Sequence, residues 1–265
     1  MNKKIAIIGG GNLGTAIAEG LIQSGFVQSK HILVTKRNTG TLLDLERKGV
    51  LVSDKNEEAV RYADLVILAV KPFQVKDILG SLKGEFKEHE QVLVSVVTGV
   101  SIEEIAGCLG RKMPIVRAMP NTAIAIKESM TCIAAQYASE EELQYVHELF
   151  GQLGKAVRID EKLMDAATVL GACGTAFAMR YIRANIQGGI EIGFDAVTAN
   201  LIAAQTVKGA AELLLRNGTH PEYEIDKVTT PKGCTIAGLN EMEHQGFSSS
   251  LIKGLVASYE KIAKG

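Results

Sequence analysis

Cysteine is scarce in this sequence, and neither sign of charge is in excess. The four cysteines among the 265 residues form no CxxC-type pair, so we expect no metal site. Free thiols in a reducing, cytoplasmic setting are the simplest interpretation. With 29 basic and 30 acidic side chains the net charge is -1. This argues against nucleic acid or a membrane surface as a partner bound by bulk electrostatics.

Long apolar runs are missing as well. The longest ones are short or broken by polar residues, so we expect no membrane span. The opening stretch, MNKKIAIIGGG, enters a strand pattern without the features of a signal peptide. Hydrophobic residues make up 46% of the chain, as in ordinary globular proteins.

The first half alternates short Val, Ile and Leu-rich runs with helical patterns, which predicts a parallel, doubly wound α/β sheet of the Rossmann type. Its helical patterns include Asn12 to Ser24 and Glu140 to Leu153. The predicted strands are Lys4 to Ile8, Ile32 to Thr35, Leu65 to Ala69, Val92 to Val97, Ile115 to Ala118 and Ala156 to Ile159. We assign residues 1–160 to this nucleotide-binding domain.

Strand patterns almost vanish after residue 160, so residues 161–265 predict an all-α domain. Asp195 is a plausible N-cap and Gly218 a plausible stop for one of its helices. Many small apolar residues permit close packing, either against a second subunit or within a small self-contained domain. The predicted helices are Asp165 to Ile192, Ala196 to Asn217, Thr235 to His244 and Ser248 to Lys264.

A glycine-rich loop follows the first strand and opens a helix. It contains the GxGxxG spacing at Gly9, Gly11 and Gly14. Gly9 permits a tight turn, Gly11 lets the backbone approach a pyrophosphate, and Gly14 lets the helix pack on the strand. A glycine turn without a ligand is the weaker alternative.

The end of the second strand indicates which dinucleotide binds. Many NAD-binding proteins place a carboxylate there for the ribose 2′-hydroxyl, but this chain has Thr35, Lys36, Arg37 and Asn38. Two cations favour a 2′-phosphate and hence NADP, although a solvated strand end has the same composition.

Later motifs, in order and spacing, make the chain resemble the pyrroline-5-carboxylate reductase family over essentially its whole length. They are AVKP (69–72), SVVTG (95–99), RAMPNTA (117–123), GAAELLLRNGTHPEY (209–223) and TTPKGCTIAGL (229–239). The resemblance implies a Rossmann domain and a helical domain that interlocks with a second subunit, in homodimers that often assemble into decamers. It implies reduction of 1-pyrroline-5-carboxylate to L-proline, the last step of proline biosynthesis, with NADPH preferred and NADH as an alternative.

The resemblance also implies positions for the cofactor contacts. The glycine loop would take the pyrophosphate, the end of the second strand the adenosine ribose and its phosphate, and the later strand ends the rest of the dinucleotide. The residues carried over are Gly9, Gly10, Gly11, Asn12, Leu13, Gly14, Thr35, Lys36, Arg37, Asn56, Ala69, Val70, Lys71, Pro72, Val96, Val97, Thr98 and Asn121.

The substrate side follows the family pattern less closely. Gly233 and Thr235 match, whereas Lys232 stands where the family usually has glycine. Cys173 and Thr175 depart from the usual SGSGPA segment, and Arg183 replaces a commonly acidic residue. The resemblance implies substrate contacts at Glu161, Cys173, Gly233, Cys234 and Thr235.

The turn before the last two predicted helices can bind a carboxylate through successive backbone N–H groups. Pro231 fixes its φ, and Gly233 tolerates a positive φ. The hydroxyl of Thr235 can donate to the carboxylate or the imine nitrogen, which makes Thr235 the catalytic candidate. Lys232 either adds attraction for an anion or is a solvated side chain.

A protonated imine needs no dedicated acid, so the lack of a histidine in these motifs fits an imine better than a ketone. Structural roles are expected for His31, His89, His147, His220 and His244. Two alternatives stay open beside the reductase: a related imine or keto-acid reductase, and a non-catalytic NADP-binding sensor.

Overall fold

The computed structural model describes residues 3–87 and 90–263. The chain forms two compact units. The first comprises the residues up to Cys173 and those from Ile262 onward, and the second is Gly174–Lys261. Contacts thus group residues 161–173 with the first unit, and the predicted domain boundary between residues 160 and 161 stays a prediction.

The first unit is built on a single eight-stranded sheet. Its strand order is β3-β2-β1-β4-β5-β6-β7-β8, and all described neighbours are parallel except β6 and β7. The strands are β1 (Ile5–Ile8), β2 (Ile32–Thr35), β3 (Leu51–Ser53), β4 (Leu65–Leu68), β5 (Val92–Ser95), β6 (Ile115–Met119), β7 (Ser129–Gln136) and β8 (Gly154–Arg158).

Seven α-helices accompany this sheet. They are α1 (Asn12–Ser24), α2 (Leu43–Arg47), α3 (Asn56–Tyr62), α4 (Val75–Leu82), α5 (Ile102–Leu109), α6 (Glu140–Gly151) and α7 (Met164–Ala167). Helix α1 has the predicted bounds and stops at Gly25, whose φ of 74° only glycine adopts readily. Helices α5 and α6 each begin with a Ser/Glu capping box.

Alternation along the strands divides the core between the two faces of the sheet. Ile5 and Ile7 of β1 belong to one buried cluster, which also takes side chains of α1 and α6. Ala6 and Ile8 belong to another, with side chains of α3, α4 and α5. Because strands covered on both faces must be apolar throughout, β1, β2, β4 and β5 are fully buried. The doubly wound α/β class is confirmed.

Two strands carry no pattern that predicted them. Strand β3 has only three residues, none of them buried. Strand β7, with the sequence SMTCIAAQ, mixes small, polar and apolar side chains and pairs antiparallel to β6. Its neighbours in the sheet, rather than its own composition, determine its conformation.

The second unit contains five helices. They are α8 (Gly174–Glu191), α9 (Ala196–Asn217), α10 (Pro221–Val228), α11 (Cys234–His244) and α12 (Phe247–Ala263). The Asp195 carboxylate accepts the backbone N–H groups of Val197 and Thr198, and Gly218 ends α9 with φ 64°, as predicted. Helix α10 was not predicted, and it begins with proline at its first position. The predicted end at Lys264 lies outside the described residues.

The predicted helix from Asp165 to Ile192 is not a uniform α-helix. Between α7 and α8, residues Thr168–Cys173 form a π-helical turn. Such turns are rare and occur frequently at functional sites, and this one includes the predicted substrate contact Cys173.

The second unit has a thin core of its own. Its buried cluster consists of Ile186, Ala199 and Ala203, with Ile182 packed against it. Large apolar side chains elsewhere in the unit are exposed, including Val197 at 81% and Ile192 at 78%. Among the described residues, every helix is too short or too polar to cross a bilayer.

Candidate active site

The glycine loop lies at the carboxyl end of β1. The backbone N–H groups of Gly9 and Gly10 both donate to the Thr35 carbonyl, at 3.2 and 2.7 Å. Gly9 has φ +108°, and a Cβ there would lie 2.4 Å from the Ala69 carbonyl oxygen. The first turn of the loop is therefore possible only with glycine.

The other glycines of the loop differ in what surrounds them. A Cβ on Gly14 would lie 2.1 Å from the Gly9 carbonyl oxygen, and one on Gly10 would lie 2.8 Å from Leu42. The GxGxxG pattern does not specify the residue at position 10, so the sequence motif did not predict this close packing. Around Gly11 a Cβ would meet no atom within 4 Å. The exposed side of the loop at Gly11, Asn12 and the half-buried Leu13 thus leaves open space at the start of α1, which fits a pyrophosphate.

The end of β2 presents charge without a carboxylate. Thr35 is buried, and its hydroxyl donates to the Asn56 side-chain oxygen across 2.6 Å. Lys36 is half-buried and Arg37 exposed. In the part of the chain that the structure describes, neither forms an ion pair. Both cations can therefore meet a 2′-phosphate.

The ends of β4 and β5 lie at the same edge of the sheet. The N–H of Ala69 donates to the Ile8 carbonyl at 2.8 Å, and that of Val96 to the Leu68 carbonyl at 3.0 Å. Ligands of doubly wound sheets bind at this carboxyl edge. Of the predicted contacts beyond these two, Val70 is half-buried, Val97 is buried, and Lys71, Pro72 and Thr98 are exposed.

Asn121 uses its side chain within the protein. Its amide nitrogen donates to the Gly171 carbonyl in the π-helical turn at 3.1 Å. Its side-chain oxygen accepts the N–H of Ala123 at 3.0 Å, and its own N–H donates to the Ser129 hydroxyl at 3.0 Å. Asn121 thereby connects the end of β6 to the segment that contains Cys173. No local pattern in the sequence indicates that connection.

Glu161 lies in a network of its own. Its Oε1 lies 3.2 Å from Arg117 Nη1 and accepts the backbone N–H of Ile102 at 2.7 Å. Gln136 donates to Oε2 at 3.4 Å. Substrate contacts at Glu161 and at the half-buried Cys173 stay predictions, and the carboxylate of Glu161 already has three partners.

The turn before α11 has its positive φ at the residue before the glycine. The Gly233 N–H donates to the Thr230 carbonyl at 2.9 Å, with proline second and a positive φ third, as in a type II turn. That positive φ, +59°, belongs to Lys232, whereas Gly233 has φ -73°. Gly233, which would tolerate a positive φ, does not adopt one here. Glycine is needed there for space, since a Cβ would lie 2.5 Å from the Thr230 hydroxyl oxygen.

Helix α11 starts directly after this turn. Its N-cap, Gly233, supplies no side-chain hydrogen bond, so the first backbone N–H groups face outward for another acceptor. Cys234 is exposed and Thr235 half-buried. The local arrangement suits a small anion, and the substrate-binding and catalytic assignments stay predictions.

Two of the histidines have partners within the protein, and the described residues contain no cluster of metal-ligand side chains. In residues 3–87 and 90–263, no group of three or more His, Cys, Asp or Glu side chains is placed to hold a metal ion. His147 bonds to the Ala156 carbonyl at 3.1 Å, and His220 caps α10. His89 lies outside the described residues.

Two family models match the chain. Residues 161–264 match the model described as pyrroline-5-carboxylate reductase dimerisation. Residues 4–99 match the model described as NADP oxidoreductase coenzyme F420-dependent. The two matches cover the helical unit and the nucleotide-binding half of the sheet.

Curated relatives decide the family. Pyrroline-5-carboxylate reductase 2 of Dictyostelium discoideum is 44% identical, over 99% of this chain and 93% of that protein. The chain belongs to the pyrroline-5-carboxylate reductase family. Pyrroline-5-carboxylate reductase 1 of the same organism is 50% identical over 98% of this chain, which spans only 49% of that longer protein.

Solved structures of the family have the same fold. The pyrroline-5-carboxylate reductase of Coxiella burnetii superposes with a TM-score of 0.94 at 28% identity, covering 100% of this chain and 98% of that one. The Plasmodium falciparum enzyme, solved with NADP bound, gives a TM-score of 0.87 at 25% identity over 98% and 97% of the two chains. Over essentially its whole length this chain therefore has the fold of these solved reductases.

Proposed function

We propose that this protein reduces 1-pyrroline-5-carboxylate to L-proline with NADPH, as an oxidoreductase acting on a CH–NH group. The observation that carries the proposal is one match over nearly the full length of a pyrroline-5-carboxylate reductase. That match includes both the glycine loop and the turn before α11. The reaction is the last step of proline biosynthesis, an amino-acid biosynthetic pathway.

The proposed cofactor contacts are supported by the space and charge that the first unit offers to a dinucleotide. Gly11 has open space around it, so the loop and the start of α1 would hold the pyrophosphate. Lys36 and Arg37 would hold the 2′-phosphate, and their charge favours NADPH over NADH. Val96, Val97 and Thr98 would flank the dinucleotide at the end of β5. When bound, NADPH supplies the hydride.

The proposed substrate contacts are supported by the turn before α11. The outward N–H groups at the start of α11 would bind the substrate carboxylate, and Gly233 and Cys234 would contact it through the backbone. The Thr235 hydroxyl would donate to the carboxylate or the imine nitrogen and so orient the acceptor carbon. Because a protonated imine is already electrophilic, no histidine is required as an acid.

NADPH oxidation in the presence of 1-pyrroline-5-carboxylate tests the function, and Thr235→Ala tests the residue. Losing the hydroxyl should lower kcat/KM about 10- to 100-fold, the value of one hydrogen bond to a charged group. NADPH affinity should be unchanged, and Thr235→Ser should restore most of the rate. A wild-type protein that reduces other cyclic imines or 2-keto acids, but not this one, would replace the proposed function with that of a related reductase.

The assembly we propose is a homodimer through the helical unit, with decamers formed from dimers. The exposed apolar side chains on α9 and α12 support it, among them Leu201 at 68% and Ile252 at 59%, since a free surface of this kind is unusual on a monomer. Sedimentation velocity of the wild type and of Leu201→Glu tests this. A monomeric wild type would overturn it.

We place the protein in the cytoplasm. Cys108, Cys132, Cys173 and Cys234 are all free thiols, which suits a reducing compartment. Fractionation of the source cells tests the location, and recovery with an organelle or membrane fraction would contradict it.

A further inference from the structure

An ion pair between a buried arginine and a half-buried glutamate joins three segments of the first unit. Arg117, in the middle of β6, is 5% exposed, and its Nη1 lies 3.2 Å from Glu161 Oε1. The same oxygen accepts the N–H of Ile102, the first residue of α5, at 2.7 Å. One carboxylate therefore holds β6, the start of α5 and the segment before α7 together.

Stability alone does not explain this ion pair. Two further nitrogens of the Arg117 guanidinium, Nε and Nη2, are buried and have no hydrogen-bond partner among the described residues. Apolar side chains of similar volume are often at least as stable as a buried ion pair, and unpaired buried N–H groups add to the cost. Such groups call for an explanation other than stability.

Helix α5 does not need the pair in order to form. Ser101 and Glu104 form a complete capping box at its start. Ile102 and Ile105 are fully buried, and Leu109 is nearly so. The bond from Ile102 to Glu161 is thus additional to everything that makes the helix stable. What it adds is a fixed position for the first residue of α5.

That position controls the loop between β5 and α5. The loop is held at its near end by the bond from Val96 to the Leu68 carbonyl and at its far end by Glu161. Between these points Thr98 is exposed, and its hydroxyl lies 3.8 Å from the Met119 sulfur. Met119 follows Arg117 by two residues in β6. The ion pair therefore fixes two segments of the proposed cofactor site relative to each other.

We infer that Arg117 and Glu161 are positioning residues for hydride transfer, acting through the Thr98 loop and the end of β6 without contacting the reactants. The inference rests on the proposed function. It replaces a substrate contact for Glu161 with a role exerted through Ile102.

The test compares two double variants of the full-length protein. Arg117→Met with Glu161→Leu removes the charges and the acceptor for Ile102, while Arg117→Met with Glu161→Gln keeps an acceptor. Because neither leaves a buried charge unpaired, both should keep a thermal midpoint close to the wild type. The matched control is the pair of Arg61 and Glu85, whose atoms lie 2.5 Å apart and whose arginine is exposed; it is changed to Met and Leu in the same way.

The leucine variant should lose about 10- to 100-fold in kcat, as expected for misplaced reactants, with NADPH affinity within about threefold. The primary isotope effect on kcat, measured with NADPH deuterated at the transferred position, should rise because the hydride step becomes slower. The glutamine variant should recover part of kcat, and the control should change neither quantity.

Wild-type kcat and isotope effect in the leucine variant would overturn the inference, as would a loss explained entirely by weaker NADPH binding. If that variant fails to fold, Arg117→Lys carries the test. It keeps a cation without the fork of the guanidinium, and a lower kcat with a raised isotope effect is again expected, unchanged values being the contradicting result. A wild type inactive on 1-pyrroline-5-carboxylate would instead overturn the proposed function.

Discussion

The Thr35 hydroxyl donates to the Asn56 side-chain oxygen across 2.6 Å and so ties the end of β2 to the start of α3. Thr35 is 1% exposed, so its side chain serves the fold. In the proposed cofactor site, recognition of a 2′-phosphate would then fall to the next two residues, Lys36 and Arg37, which follow the strand end.

We expect Lys36→Ala with Arg37→Ala to raise the Kd for NADPH by about 100-fold or more, because charge-assisted bonds to phosphate contribute about 1.5–3 kcal/mol each and two are lost. NADH, which lacks that phosphate, should bind as before. Fluorescence titration with both cofactors measures the change. Lys55→Ala, a neighbouring surface lysine paired with Glu58, is the control. Equal weakening for both cofactors would place the two cations outside the phosphate site.

The glycine loop allows a matched pair of substitutions. Gly14→Ala would place a Cβ 2.1 Å from a backbone oxygen and should destabilise the protein by about 1–3 kcal/mol or more. Gly11 has φ -83° and open space, so Gly11→Ala should change stability by less than about 0.5 kcal/mol. It should nevertheless weaken NADPH binding, because the methyl group occupies the path of the pyrophosphate. Unaltered affinity in a folded Gly11→Ala protein would contradict the proposed cradle.

Two lysines with the same left-handed backbone provide another comparison, since Lys127 and Lys232 both have φ 59°. Replacing either lysine by glycine removes the steric cost of the left-handed conformation, which is about 1–2 kcal/mol. Glycine also raises the conformational entropy of the unfolded chain, which costs about 0.5–1 kcal/mol of stability. Both variants should gain up to about 1 kcal/mol in urea unfolding.

Only Lys232→Gly should also raise KM for 1-pyrroline-5-carboxylate, by about threefold to tenfold, if the ammonium attracts the carboxylate at the turn. The increase should shrink at high salt. Identical KM values for the two variants and the wild type would show that Lys232 is a solvated side chain without a role in substrate binding.

Acid should weaken the start of α5. The backbone N–H and hydroxyl of Ser101 donate to Glu104 at 2.7 and 2.8 Å, and these bonds, with the Arg117 charge contributing, lower the pKa of Glu104 from its ordinary 4.5. The deprotonated form is the one that the folded state favours. Its stabilising contribution is therefore complete above pH 4.5 and is lost as the pH falls through the lower folded pKa.

Urea unfolding at several pH values measures this effect. The wild type should be more stable than Glu104→Gln at neutral pH, and the difference should narrow on acidification below the ordinary pKa. Glu103→Gln, one residue away and outside the capping box, serves as the control. A difference that stays constant with pH would remove Glu104 from the acid response.

The dinucleotide loop, the doubly wound class and the helical second half were predictable from sequence, because each depends on a local pattern. GxGxxG after a strand requires a tight turn, and continuous apolar strands require cover on both faces. Helix α1 begins and ends where its helical pattern predicts. The motifs in order were enough to name the family.

Other features were decided only in three dimensions. The location of the positive φ at Lys232, the bond from Asn121 to Gly171 and the strand conformation of β7 have no local signal. The pair of Arg117 and Glu161 joins residues 44 positions apart. Propensity and spacing act over a few residues, whereas a buried charge is placed by whichever distant partner the packed chain brings to it. The sequence alone therefore determined the fold class and predicted the cofactor, and the tertiary structure decided which side chains hold the strand ends in place.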